Sequence, residues 1–287
     1  MNRLSNRNPD GTVAKQKKTT FLGSNPVMRR LEKVDEHVDE NCVTYKGITL
    51  KTTFFLLMTV VGIILQLLLS KQFATGQSFM IDYKGFEVEM FTGETIALAV
   101  SVVLAIVFQL LAFFVKATTP VTGALYCVTQ GYFISFLVFK VLHGKEYIGA
   151  LALALTLIIV LVMSILYTTG VIKVTKKFRM VMLTLFASVI GISLITLVGS
   201  FIPATRGIVS SIMGNFWVSI AVTIVYIIIA ALFLVSDFAV IQGAVDNQLP
   251  KKYEWQAAFG LAFTVLWIYL KVLQLLITIL GRGNSRS

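Results

Sequence analysis

Histidine is almost missing from this chain: His37 and His143 are the only two in 287 residues, one in a polar tail and one in a short loop. No intramembrane zinc cluster and no Ser/His or Glu/His pair can be assembled within apolar helices from such a set. A hydrolase of that kind is excluded, and no enzymatic activity is expected. A GxxxxGK[ST] phosphate loop is also lacking, so ATP hydrolysis drives nothing here and any movement of solute is passive or coupled to an ion gradient. Cysteine occurs twice, at Cys42 in the polar tail and Cys127 inside an apolar run. That arrangement suits no structural disulfide, and both thiols are expected to stay reduced. No cofactor is expected.

Charge is the next scarcity. Charged residues make up 14% of the chain against 56% hydrophobic ones. A soluble fold of this length could not hide so much apolar surface, so the chain belongs in lipid. The formal charge of +11 does not point to nucleic acid, because 10 of the 25 basic residues lie in the first 51 positions and most others flank apolar runs. Basic residues so placed carry topology information.

What is present is a series of long apolar runs. Uncharged windows cover 52–70, 95–115, 117–139, 147–172, 180–202 and 207–236, and a seventh, 255–281, contains one charge, Lys271. A spanning helix needs about 20 mostly apolar residues and must satisfy its own backbone hydrogen bonds, so all seven read as transmembrane helices. The sixth is expected to continue through Asp237 to about Val245, before Pro250 forces a loop. The chain then divides into a polar amino-terminal tail (1–51), a seven-helix all-α membrane domain (52–281) and a short polar carboxyl tail (282–287). No apolar signal core precedes the first span, so its cleavage is not expected.

Orientation follows from Lys and Arg near the span ends. The loops on the two sides carry seven basic residues each, and the 10 in the tail break the tie. The amino terminus is expected in the cytoplasm and the carboxyl terminus outside. Most loop acids, including Asp82, Glu87, Glu89, Glu94 and Glu146, then fall on the outer side.

Ionisable groups within spans are costly enough to be functional leads, which singles out Asp237 and Lys271. Asp237 reads either as a proton or cation site or as a buried carboxylate fixing helix register. Lys271 reads either as its counter-ion or as a side chain snorkelling to the interface. At 1.5 Å per residue they would lie about 12 and about 24 Å above the inner boundary, so a direct pair needs tilt or a broken helix. Gln66 and Gln109 read as interhelical hydrogen-bonding groups, and Gly191, Ser193, Gly199 and Ser200 as packing residues.

The segment Tyr253-Glu254-Trp255-Gln256-Ala257-Ala258-Phe259-Gly260, followed by Trp267-Ile268-Tyr269-Leu270-Lys271-Val272-Leu273, resembles the carboxyl end of the YccA/Bax inhibitor family of bacterial membrane proteins. So do Ser24-Asn25-Pro26-Val27, the run from Gly170 to Arg179, and Leu234 to Phe238, so that the likeness covers about 24–281. The resemblance implies a bacterial plasma-membrane protein in which six helices surround a central seventh. It also implies an acidic pair on the sixth and seventh helices acting as a pH-sensitive latch over a calcium leak. Asp237 matches the sixth-helix acid, whereas the seventh-helix position is read onto Lys271. Where relatives carry further acids, this chain has Ala239, Gln130 and Gln242. Calcium prefers several charged oxygen ligands, so a metal site, if any, would centre on Asp237. The candidate ion-pathway residues are thus Asp237, Lys271, Gln130 and Gln242. Two function classes follow: a pH-responsive leak for calcium or protons, or a non-conducting factor that binds another membrane protein such as a quality-control protease.

Overall fold

Thr44 opens the first helix. Its backbone is extended (φ −128°, ψ 147°) and its Oγ1 accepts the Gly47 N–H at 3.0 Å, which satisfies one orphan donor of helix α1, Tyr45–Phe73. A computed structural model describes residues 42–284 apart from 203, 206, 208–210, 212 and 213; at 186, 190, 193, 194, 197, 200, 201 and 282–284 it describes the backbone alone. The tail motif at Ser24 to Val27 and the acidic run from Glu32 to Glu40 lie outside the described residues.

The remaining long helices are α2 (Thr92–Phe114), α3 (Thr119–Ser135), α4 (Tyr147–Thr168), α5 (Lys176–Phe201), α6 (Phe216–Asp246) and α7 (Glu254–Asn284). A 3-10 turn at Lys116–Thr118 leads into α3 and a π turn at Phe136–Val141 extends it. Among the described residues six segments are long and apolar enough to cross a membrane: Tyr45–Phe73, Thr92–Phe114, Lys116–Val141, Tyr147–Thr168, Phe216–Asp246 and Lys251–Gly281. The expected fifth span corresponds to α5, a helix of 26 residues. The chain is an all-α multi-pass membrane protein.

Exposure agrees with a lipid-facing exterior. On α2 the exposed side chains Ile96, Val100, Val103, Ile106 and Leu110 recur every three or four residues, forming one apolar stripe. The core runs along α7, which packs against α1, α2, α3, α4 and α6. Near its start the fully buried Phe259 ring lies 5.6 Å from Phe55 of α1, 5.5 Å from Phe113 of α2 and 5.6 Å from Tyr126 of α3. Small residues let α1 and α3 approach closely: a Cβ on Gly62 would stand 2.0 Å from the Val128 carbonyl oxygen, and one on Gly131 2.0 Å from that of Thr59. Gln66 is held across the same interface, accepting from the Ser135 hydroxyl at 2.8 Å, as the sequence led us to expect.

One expectation is corrected. The sixth span does not run as one helix from 207. At Asn215 the backbone is extended (ψ 121°) and Oδ1 accepts the N–H groups of Trp217 and Val218, so α6 starts at Phe216. Its far end, Asp246, agrees with the expected continuation past Asp237. The acidic segment after α1 forms a hairpin: β1 (Ser78–Tyr83) pairs antiparallel with β2 (Phe86–Phe91). Phe86, Val88 and Met90 are buried while Glu87 and Glu89 are exposed, the period-2 alternation of a half-buried strand. Lys84 (φ 54°) and Gly85 (φ 85°) form its turn, in which Asp82 Oδ1 accepts the Gly85 N–H at 2.8 Å.

Candidate functional site

Asp237 sits in the run Phe233, Leu234, Val235, Ser236 on α6, all of it buried, and has no exposed surface of its own. Nine residues, or about 13 Å of helix, separate it from the α6 terminus at Asp246. Across the interface α7 presents Thr264, whose hydroxyl donates to Asp237 Oδ2 at 2.6 Å and lies 3.2 Å from the Gly260 carbonyl oxygen. The one hydroxyl proton goes to the carboxylate, since the shorter, charge-assisted bond is the stronger. On the same turn the Ser236 hydroxyl is buried and has no hydrogen-bond partner among the described residues.

Lys271 does not meet Asp237. Its ammonium donates to Gln274 Oε1 at 3.2 Å and stands 4.8 Å over the Tyr226 ring of α6. The separation has a simple cause: Thr264, which does face Asp237, is seven residues and so about 10 Å of helix before Lys271. The α7 position opposite the α6 acid is therefore Thr264, and the sequence reading that placed it at Lys271 is corrected here.

Gln242 lies near the tail side of α6, where its Oε1 accepts from the Tyr167 hydroxyl of α4. This bond stands between two clefts. One, of about 390 Å³, is lined by Arg179, Lys173, Asp246, Asn247, Gly243 and Ala239 among others. The second, of about 460 Å³, is lined by Tyr45, Ser164, Thr168, Phe238, Ile241 and Leu261 among others. Tyr167 and Gln242 belong to both. The first cleft reaches up α6 as far as Ala239, two residues from Asp237. Gln130 is half-buried on α3 and makes no side-chain hydrogen bond to Asp237, Lys271 or Gln242; its neighbour Gly131 is committed to α1.

Among the described residues no group of three or more His, Cys, Asp or Glu could hold a metal ion. A cation at Asp237 would have to complete its shell from hydroxyls, carbonyls and water.

Four residues that matter to the geometry were missed. Thr264 carries no signal in a hydropathy plot. Arg179, almost fully buried at the start of α5, was read only as a topology marker, although it closes the Gly170 to Arg179 motif. Glu254 was quoted within a motif without a role. It is fully buried and accepts from the backbone N–H and the hydroxyl of Thr44, each at 3.0 Å, and from Lys51. Lys84, at the hairpin turn, reaches α7, where its ammonium donates to Thr278 Oγ1 at 2.7 Å.

A family model described as Bax inhibitor 1 like matches residues 12–281. No curated protein and no solved structure matches the chain.

Proposed function

The chain belongs to the Bax inhibitor 1 like family, and from that premise we propose that it is a passive, pH-responsive leak for protons or calcium, with no enzymatic step. Asp237 is the titrating element. The observation that carries this reading is a fully buried carboxylate on α6 bonded to the Thr264 hydroxyl of α7, two residues from the end of a cleft that opens on the tail side. As a carboxylate, Asp237 accepts from Thr264 and ties α6 to α7. As a carboxylic acid it carries a proton of its own and no longer needs that donor, which loosens the tie. The tail side faces the cytoplasm of a bacterial plasma membrane in this reading, and the cleft that reaches Ala239 opens on that side. The buried Ser236 hydroxyl supplies a further polar group on the same turn.

The test is flux in proteoliposomes of purified full-length chain, read with calcium and proton indicators across pH, beside Asp237→Asn. The substitution keeps the shape and removes the titration. Wild type should leak in a pH-dependent way and the variant should lose that dependence. Superimposable pH profiles, or no flux from either protein, would overturn the reading.

The second reading is a non-conducting factor for another membrane protein, such as a membrane protease. It draws on the hairpin, whose outer face exposes Asp82, Glu87 and Glu89. Its mark is co-purification of a partner that survives Asp237→Asn, together with silent liposomes.

A further inference from the structure

Two ammonium groups are held at the hairpin side of the α6/α7 interface. Lys84 enters from the hairpin turn and Lys271 from α7. Lys84 donates to Thr278 Oγ1 at 2.7 Å, with Ser219 Oγ of α6 at 3.5 Å. Lys271 donates to the Gln274 amide oxygen and lies over Tyr226. Every one of these partners is neutral, and among the described residues neither lysine has a carboxylate within ion-pair distance.

Backbone packing fixes this arrangement. The Lys84 carbonyl oxygen abuts Gly281, where a Cβ would stand 1.8 Å away, so the hairpin turn is seated on α7. Lys271 bonds Gln274, one turn further toward the hairpin side, so its ammonium is drawn toward Lys84 rather than toward Asp237. The two charges interact: burial first, and the Lys271 charge second, hold the Lys84 ammonium below the usual lysine range. α6 begins only three residues before Ser219, so the positive end of its dipole points the same way.

A half-buried pair of like charges with neutral partners is relieved by an anion between them. Thr278 passes its own hydroxyl proton to the Gln274 carbonyl at 2.8 Å and so serves to position Lys84. We propose that Lys84 and Lys271, with the Ser219 hydroxyl, form an oxyanion site that takes a phosphate group at the hairpin-side edge of the membrane domain. A hydroxyl beside two ammonium groups suits a tetrahedral oxyanion, which can accept several short, charge-assisted bonds at once. The phosphate is that of an anionic lipid headgroup or free inorganic phosphate; both present the same chemistry. The site is independent of whether Asp237 gates a leak, because it lies about two helical turns away along α7.

The test uses the full chain purified in a zwitterionic detergent and followed by thermal unfolding. One arm titrates inorganic phosphate, a second short-chain phosphatidylglycerol and a third short-chain phosphatidylcholine as the zwitterionic control. Wild type should gain thermal stability with phosphate or phosphatidylglycerol beyond any gain with phosphatidylcholine, and the arm that does so names the source. In Lys84→Gln the dose for half the gain should rise roughly tenfold, the loss of one charge-assisted contact. Lys84→Arg should restore the response, and Lys271→Met, which suits the apolar setting, should weaken it as Lys84→Gln does. Equal gains in all three arms, equal gains in wild type and Lys84→Gln, or no gain in wild type would each overturn the proposal.

Discussion

Glu254 and Thr44 are joined across 210 positions of sequence: the buried carboxylate at the start of α7 accepts both the N–H and the hydroxyl of the residue that caps α1. Lys51, nearly two turns into α1, completes the cluster and lies 5.2 Å from the centre of the Trp255 ring. The Val43 N–H donates to the Leu249 carbonyl at 2.8 Å beside it. Entry to the first helix and entry to the core helix are thus one unit, closed on the tail side.

Removing one partner of a buried pair leaves the other charge uncompensated, at a cost of about 3 kcal/mol or more. Glu254→Ala should therefore unfold at clearly lower denaturant concentration than wild type. Glu254→Leu combined with Lys51→Met should recover much of the loss. The check is denaturant unfolding in detergent, and equal stability of Glu254→Ala and wild type would refute the assignment.

The α1/α3 seam leaves no room for a methyl group at Gly62 or Gly131. Gly131→Ala must push two backbones apart, and strain of this kind costs on the order of 1–3 kcal/mol. Reduced monodisperse yield and a lowered melting temperature are expected. Gly191→Ala serves as the control, because a Cβ there meets nothing within 4 Å.

Thr264 distinguishes a gating role for Asp237 from a merely buried one. Thr264→Val keeps the volume and deletes the hydroxyl bonded to the carboxylate. Hydrogen bonds to charged groups contribute about 1.5–3 kcal/mol, so the pH midpoint of flux should move by on the order of one unit. Thr264→Ser should return it. Thr264→Asp would create the carboxylate pair that Lys271→Glu, about two turns away, cannot, and so should raise calcium flux where Lys271→Glu does not.

Lys84 makes stability depend on pH in the alkaline range. Its folded-state pKa lies below the ordinary 10.5, through burial first and the neighbouring Lys271 charge second. Between those two values the unfolded chain binds more protons than the folded one, so stability rises with pH across that window. The unfavourable contribution is fully present below the folded-state value. Lys84→Met should remove this part of the rise, as read from melting temperatures between pH 8 and 11. An identical slope in the variant would show that Lys84 is not the source.

Thiol chemistry gives a separate check on packing and topology. Cys127 is fully buried and Cys42 only half-buried, with no disulfide. A maleimide should label Cys42 in folded protein and reach Cys127 only after denaturation. With an impermeant reagent, Cys42 should react from the cytoplasmic side alone.

Much of the architecture was legible in the residues because a spanning helix is specified locally. Length, apolarity and the need to close every backbone hydrogen bond within the segment leave one solution, so windows such as 95–115 and 255–281 fall within two or three residues of α2 and α7. The hairpin was legible too, in the alternation of Phe86, Val88 and Met90 with Glu87 and Glu89, but a reading tuned to long apolar runs passes over six-residue strands.

Sequence alone determined that this chain lives in lipid, where its helices lie, and that Asp237 and Lys271 stand well inside their apolar runs. Tertiary structure alone decided their company: Thr264 for the acid, Gln274 and Tyr226 for the base, and Lys84 brought in from the hairpin turn between α1 and α2. The physical reason lies in the helices themselves. A segment apolar on every side carries no stripe to show which face turns inward, and its level against a neighbour is set by packing contacts such as Gly62 on Gly131 or Gly281 under Lys84, which no one-dimensional pattern records.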